Sequence, residues 1–117
     1  MEITINTKFF TFNQNNSGGH FVIDEEHGVC ECVIIEALNA EDAIHRLNKI
    51  GDKVDGFHSY CSCCGERWPD WIDDDDGTDT PMIYSEPIDD VKEDTFRKMA
   101  FVHYFNANFK KYIFSKK

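Results

Sequence analysis

Apolar and polar residues alternate along the first third of the chain in a pattern that predicts β-strands. Ile3 and Ile5 alternate with polar neighbours and lead into an aromatic run, so we expect a strand over 3–12. The same pattern predicts strands over 20–24 and 29–36. A polar stretch that ends in glycine separates these two strands, and this spacing is typical of a hairpin.

A change of period from two to about 3.6 marks the best-defined element, an amphipathic helix over 39–50. Asn39 is a favourable N-cap, and Asp42 occupies the reciprocal position of a capping box. Gly51 suits the position after the helix, where φ often turns positive. The apolar residues of one helical face are Ala40, Ala43, Ile44, Leu47 and Ile50.

The C-terminal segment is aromatic and favours β-structure. Residues 99–105 and 109–114 flank a plausible turn at 106–108, so we expect a hairpin. A continuous helix stays open as the alternative, because Phe101, Phe105 and Phe109 follow an i, i+4 spacing. A short edge strand at 81–85 and a short helix at 89–96 complete the predicted elements.

These elements predict an α+β fold: an antiparallel sheet with N-terminal strands, one helix packed on it, a Cys-rich loop and a C-terminal β-hairpin. The 117 residues fit a single domain over 1–117, with a Cys-rich and acidic loop region at 51–80. No apolar run approaches the length of a membrane span, and no secretory signal is visible at the N-terminus. We therefore expect no membrane partner.

Charge is distributed unevenly in a chain whose net charge is −10. Residues 66–94 contain twelve acidic and two basic residues, whereas residues 95–117 contain six basic residues and no acidic one. This field disfavours nucleic acid as a partner and favours basic proteins. The acidic run at 73–76 also leaves open a mimic of DNA phosphates that occupies the basic groove of another protein.

Thiols cluster at Cys61-Ser62-Cys63-Cys64-Gly65, which has the spacing of half a zinc knuckle. Four ligands are needed, and only one pair is clear, so bound zinc and a cluster of reduced thiols both stay open. The candidate zinc ligands are Cys61, Cys64, Cys63, Cys30, Cys32 and His58. Cys30 and Cys32 would share a face if both lie on one regular strand.

Other chemistry is less well supported by the residue pattern. No ordered Cys-His-Asn set accompanies the thiols, so we expect no enzyme. An EF-hand register on the acidic run would place Ile72 first and Ile83 twelfth, and neither provides a carboxylate. The candidate binding residues are Arg67, Trp68, Asp73, Asp74, Asp75 and Asp76.

Several stretches together resemble a family of small uncharacterised proteins from tailed bacteriophages. They are GGHFVID at 18–24, IEA at 35–37 running into NAEDA at 39–43, CSCCGERW at 61–68, and PMIY at 81–84. Cys-Cys-Gly-x-Arg-Trp is the most specific part. The resemblance implies an accessory protein in the cytoplasm of an infected host, and it transfers neither an activity nor functional residues.

Charge and resemblance together predict a non-enzymatic protein that binds and inhibits a host protein, including a defence protein, through its acidic surface. One alternative is sequestration of an anionic nucleotide signal of host defence by Arg67 and Trp68. A further alternative is the DNA-mimic inhibitor. An aromatic edge near 99–114 also allows a homo-oligomer.

Overall fold

The computed structural model describes residues 6–14, 21–57, 60–61, 65–66, 68–69, 72–83, 86–91 and 99–114. Along the chain its elements are β1 (Lys8–Asn13), β2 (Cys32–Ala37), α1 (Ala40–Gly51), β3 (Tyr60–Cys61), β4 (Gly65–Glu66), β5 (Met82–Ile83), β6 (Glu86–Pro87), β7 (Met99–His103) and β8 (Phe109–Ile113). Short 3₁₀ turns lie at Glu25–His27, Asp74–Asp76 and Ile88–Asp90. The helix α1 and these turns are too short or too polar to cross a membrane.

The main sheet has the strand order β1-β2-β7-β8. β1 pairs with β2 in antiparallel orientation, and β7 pairs with β8 in the same way. The central pair, β2 with β7, is parallel. The α+β class and the C-terminal hairpin are confirmed, and the sheet is mixed, because the long connection through α1 brings the chain back to the same end of the sheet.

The central strand β2 is buried on both faces, which explains its continuous apolar run. One face carries the larger core, in which α1 packs on β1 and β2. The buried residues of that core are Phe10, Phe12, Val29, Val33, Ile35, Ala37, Ala40, Ala43, Leu47, Val54, Phe57 and Trp68. The opposite face has a smaller core built from Cys32, Ile34, Ile83, Ile88, Ala100, Val102 and Phe114.

The helix α1 begins with the predicted N-cap but without the predicted capping box, because the carboxylate of Asp42 accepts from the N–H of Leu38 at 3.0 Å and not from that of Asn39. The side chain of Asn39 accepts a hydrogen bond from the backbone N–H of Asp42 at 2.8 Å. Gly51 is the last helical residue and does not have a positive φ. A Cβ there would lie 2.1 Å from Cδ1 of Phe57. Glycine at this position therefore allows close packing of an aromatic ring.

The predicted strand over 20–24 is wrong for the part that the structure describes, 21–24. The side chain of Gln14 forms the hydrogen bonds that a neighbouring strand would form there. Its Nε2 donates to the carbonyl oxygen of Val22, and its Oε1 accepts from the N–H of Val22. Asp24 then forms an isolated bridge with Val29 across a 3₁₀ turn. Gly28 closes this turn with a φ of +70°, a value that glycine adopts without strain.

The outer edge of β1 is covered by the acidic region. Thr78 donates its backbone N–H to Phe9 at 2.9 Å and accepts from the N–H of Phe9 at 2.8 Å. Lys8 forms an ion pair with Asp79 beside this bridge. The predicted strand over 3–12 begins at Lys8 in the described residues, and its residues 3–5 lie outside them. The predicted edge strand at 81–85 is present as β5.

Candidate functional site

A cavity of about 520 Å³ lies between the C-terminal half of α1, the 3₁₀ turn at Glu25–His27 and the β7–β8 hairpin. We refer to it as the α1 cavity. Its volume lies within the range of small-molecule sites. Its lining residues are Glu26, His27, Ile35, Arg46, Lys49, Ile50, Asp52, Lys53, His103, Tyr104, Ala107 and Phe109.

Neighbouring strands provide one part of the lining. Ile35 of β2 and His103 of β7 are register partners in the parallel pair, and both are buried. Phe109 of β8 is the register partner of His103 in the next strand. The rings of Phe109 and His103 lie 5.0 Å apart at 35°. An aliphatic and an aromatic side chain thus flank a buried imidazole.

Cationic side chains on and just after α1 provide another part of the cavity lining. Arg46 and Lys49 are three residues apart and Lys53 follows four residues later, so they project from one side of the helix and its extension. Among the described residues, no carboxylate forms an ion pair with Lys49 or Lys53. The lining also contains the carboxylates of Glu26 and Asp52. Cations are therefore in the majority in this cavity, although the chain as a whole is acidic.

Arg46 has a structural task in addition to its place in the lining. Its Nε donates to Asp42 at 2.9 Å, and its Nη1 donates to the carbonyl of Phe105 at 3.3 Å. Its guanidinium lies 4.1 Å from the centre of the Phe105 ring. Glu36 accepts from the N–H of Phe105 at 2.9 Å. The helix and β2 thus fix the start of the hairpin loop above the cavity.

His103 is buried and neutral. Its Nε2 lies 2.7 Å from the carbonyl oxygen of Gly28, and since that oxygen only accepts, Nε2 carries the proton. Burial lowers the pKa of His103, and the hydrogen bond to Gly28 opposes this only partly. A Cβ on Gly28 would lie 2.7 Å from the imidazole, so only glycine allows this approach.

His27 is oriented by Asp24. Its Nδ1 lies 2.8 Å from Oδ2 of Asp24, and this hydrogen bond holds the pKa of the carboxyl below its ordinary value. In the described residues, Asp24, Glu26 and His27 are the one group whose ligand atoms lie within 4.8 Å of one another. The carboxylate of Asp24 is already occupied by His27, and nothing further indicates an ion there.

Some of the zinc ligands that the sequence predicts lie within the described residues, and others lie outside them. The backbone of Cys61 in β3 pairs with Gly65 in β4. Cys63, Cys64 and His58 lie outside the described residues, as does Arg67. The zinc site therefore stays a prediction.

Cys30 and Cys32 are both fully buried. Cys30 precedes β2, and its thiol donates to the carbonyl of Cys32 at 3.2 Å. Burial raises the pKa of Cys30 to about 12, so this sulfur is a protonated thiol when no metal is bound. Cys32 belongs to the smaller core.

Trp68 lies in the larger core rather than at the α1 cavity. Its ring stacks on Phe57, with centroids 4.9 Å apart and planes at 17°. Trp68 is 7% exposed, so its ring is buried by packing in the core. The aromatic side chain that the sequence suggested for a nucleotide base therefore lies away from the α1 cavity, whose lining contains Phe109.

The acidic run forms an exposed 3₁₀ turn with internal hydrogen bonds. Asp73 and Asp76 form a capping box around it. Asp74 accepts a hydrogen bond from the backbone N–H of Ala40 at 2.8 Å. Ala40 is the first residue of α1, where an N–H has no partner inside the helix. One carboxylate of the run therefore stabilises the helix N-terminus.

The sequence model of one protein family, described as a domain of unknown function (DUF7296), matches residues 7–117. The chain belongs to this family. No curated protein and no solved structure matches the chain. The match includes every residue that lines the α1 cavity.

The residues of the α1 cavity were not identified from the sequence. Arg46 and Lys49 follow the helical period on the polar side of α1, where charged residues are usually solvated. His103 interrupts an otherwise apolar strand, and this interruption is the one local signal of a site. The register that places it beside Ile35 depends on contacts between distant strands.

We expect Asp74→Ala to lower the free energy of unfolding by about 1 kcal/mol, because it leaves the N–H of Ala40 without its acceptor. Asp75→Ala is the matched control, since it removes the same charge from the next residue. Urea unfolding of both variants measures the effect. Equal stability of the two variants would show that Asp74 is only a surface charge.

We expect the stability of the protein to fall as pH decreases below about 6.5, in part because of His103. Its folded pKa lies below the ordinary 6.5, so the unfolded chain takes up this proton first. The contribution is complete above 6.5 and is lost as pH falls through the folded pKa. His103→Gln, which keeps a donor for Gly28, should reduce the pH dependence of the urea midpoint. His45→Gln, at an exposed histidine of α1, is the matched control.

Proposed function

We propose that the protein is a non-enzymatic binding protein that holds a small organic anion of the nucleotide type in the α1 cavity. The observation that carries the proposal is the pair Lys49 and Lys53, which line this cavity and have no ion pair in the described chain. Unpaired cations at a concave site are available to bind an anionic group.

The overall charge favours a small anion over a polymer. A net charge of −10 repels an extended nucleic acid from most of the surface. A mononucleotide contacts only the cavity, where Lys49 and Lys53 supply positive charge that is unpaired in the described chain, beside the carboxylates of Glu26 and Asp52. A charge-assisted hydrogen bond from an ammonium to a phosphate oxygen is about twice as strong as a neutral one.

The aromatic side of the cavity supports a ligand with a ring. Phe109 is 41% exposed and lines the cavity, so part of its surface is open to a ligand. A base that stacks on an aromatic side chain contributes about 1–3 kcal/mol. Ile35 and Ile50 provide further apolar contact. The lining therefore offers a ring platform and a cationic group in one cavity.

The absence of a cysteine, serine or threonine nucleophile from the described lining favours binding over turnover. The cavity is lined by no cysteine, serine or threonine of the described chain. One ring nitrogen of His27 is bonded to Asp24, and one of His103 is bonded to Gly28. These bonds hold the imidazoles in place as hydrogen-bonding groups for a ligand.

This binding chemistry agrees with one role expected from the resemblance to small proteins of tailed bacteriophages. We propose that the protein acts in the host cytoplasm as an accessory protein that sequesters a nucleotide signal of host defence. Capture without turnover is sufficient for this role, because it lowers the free concentration of the signal.

We expect a nucleotide to raise the melting temperature of the purified protein in a panel of mononucleotides and cyclic nucleotides. A ligand present at 100 times its dissociation constant stabilises the folded state by about 2.7 kcal/mol. Lys49→Glu and Lys53→Glu should each weaken the binding by about tenfold or more, which corresponds to about 1.4 kcal/mol. Calorimetric titration measures the affinities.

Lys8→Glu is the matched control, because this exposed lysine of β1 does not line the cavity. Separate titrations with the corresponding nucleosides and with inorganic phosphate measure how much of the affinity comes from the ring and how much from the anionic group. The proposal is wrong if no nucleotide shifts the melting temperature. It is also wrong if Lys8→Glu weakens binding as much as Lys49→Glu does.

A second candidate function is the binding of a basic host protein through the acidic surface. The supporting observation is the 3₁₀ turn at Asp74–Asp76, whose residues are all exposed. Asp89 and Asp90 add exposed carboxylates in the same acidic segment. The DNA-mimic alternative has the same chemistry, with these carboxylates in place of phosphates.

We expect the acidic surface, if it binds a host protein, to capture that protein from host lysate at low salt and to release it at high salt. Replacing Asp75, Asp89 and Asp90 by Asn should abolish the capture and leave the bond from Asp74 to Ala40 intact. Glu41→Gln, at an exposed site on α1, is the control. Capture that survives both high salt and the triple substitution would contradict this function.

A further inference from the structure

The outer strand β8 has the most exposed large apolar side chain of the described chain. Ile113 is 71% exposed and Phe109 is 41% exposed. Lys111 lies between them, and alternation places all three side chains on the same face of the sheet. An isolated exposed apolar residue is ordinary, but two residues on one unpaired sheet edge form a repeated pattern.

The backbone of β8 also has free hydrogen-bonding groups. Tyr104 donates its N–H to the carbonyl of Asn108 at 2.7 Å, which makes these two residues a hydrogen-bonded pair. Bonded and non-bonded pairs alternate along an antiparallel ladder. Lys110 and Tyr112 therefore bond to β7, whereas the N–H and carbonyl groups of Phe109, Lys111 and Ile113 point away from the sheet. No other strand pairs with this edge in the described part of the chain.

We propose that two copies of this chain form a dimer through β8, with the two strands antiparallel about a two-fold axis at Lys111. In this register the free backbone groups of Lys111 bond to those of Lys111 in the second copy. Phe109 lies opposite Ile113 of the second copy, and Ile113 lies opposite its Phe109. Directly opposite side chains have Cβ atoms about 5 Å apart, so the two exposed apolar residues contact each other across the interface.

The side chains of β8 complement a second copy of themselves. On the other face, Lys110 lies opposite Tyr112 of the second copy, and such a pair already exists within one strand, with Nζ 4.8 Å from the ring centre. The unfavourable contact is Lys111 opposite Lys111. Lys111 forms an ion pair with Glu25 of its own chain, and this pair reduces the repulsion.

The opposite edge of the sheet is covered at Phe9, which disfavours extension of the assembly through β1. Thr78 exchanges backbone hydrogen bonds with Phe9 along the outer side of β1. A chain with one open edge and a two-fold contact forms a closed dimer, whereas two open edges would permit a continuous sheet.

The dimer would also change the α1 cavity. Phe109 lines that cavity, and Ile113 of the second copy would pack against Phe109. The second copy thus supports the aromatic wall of the site. The dimer itself depends only on β8 and does not require that the proposed ligand be correct.

Sedimentation equilibrium of the full chain tests the proposal over a range of protein concentrations. The expected mass is twice the 13.6 kDa of one chain. Ile113→Lys should raise the dimer dissociation constant by about tenfold or more. Leu38→Lys is the matched control, because Leu38 is 49% exposed and lies outside β8. The unfolding midpoint of each variant, measured at low concentration, shows that the monomer fold is retained.

Amide hydrogen exchange measures the pairing directly. The amides of Lys111 and Ile113 should exchange more slowly as the protein concentration rises, whereas those of Lys110 and Tyr112 are already protected by β7. A monomer at every concentration would overturn the proposal. A dimer that Ile113→Lys does not weaken, or whose formation leaves the exchange of the Lys111 and Ile113 amides unchanged, would also overturn it.

Discussion

The parallel pairing of β2 with β7 is the constraint on which the rest of the structure depends. It makes β2 an inner strand of the sheet, and its two faces are buried by α1 on one side and by β5 and the turn at Ile88–Asp90 on the other. The same pairing brings Ile35 beside His103 and carries the C-terminal hairpin to the α1 cavity. Arg46 and Glu36 then fix the hairpin loop at Phe105.

Some charged side chains form bonds that hold the fold together, and others are free to bind a ligand. The acidic segment is exposed, yet Asp74 bonds to the start of α1 and Asp79 pairs with Lys8. Among the basic residues, Arg46 is held by Asp42 and Phe105, whereas Lys49 and Lys53 have no ion pair in the described residues. The net charge of the chain therefore does not indicate the sign of its cavity, because local position decides which charges are free.

Local patterns were accurate where local contacts decide the structure. The cap at Asn39, the apolar face of α1 and the C-terminal hairpin all follow from residues close in sequence. The strand expected over 20–24 did not form in its described part, because Gln14 supplies the hydrogen bonds that a strand partner would have supplied. Gly51 was read as a helix terminator, but its role is to admit the ring of Phe57.

The sequence by itself determined the α+β class, the helix, the terminal hairpin and the acidic character of the surface, because periodicity, capping and composition are local or additive properties. Only the tertiary structure decided the parallel centre of the sheet, the burial of Trp68 and the α1 cavity. That cavity combines residues of the turn at Glu25–His27, β2, α1, β7 and β8, and its most distant members, Glu26 and Phe109, are 83 positions apart. Their contact arises from strand register and helix packing, which minimise exposed apolar surface over the whole chain.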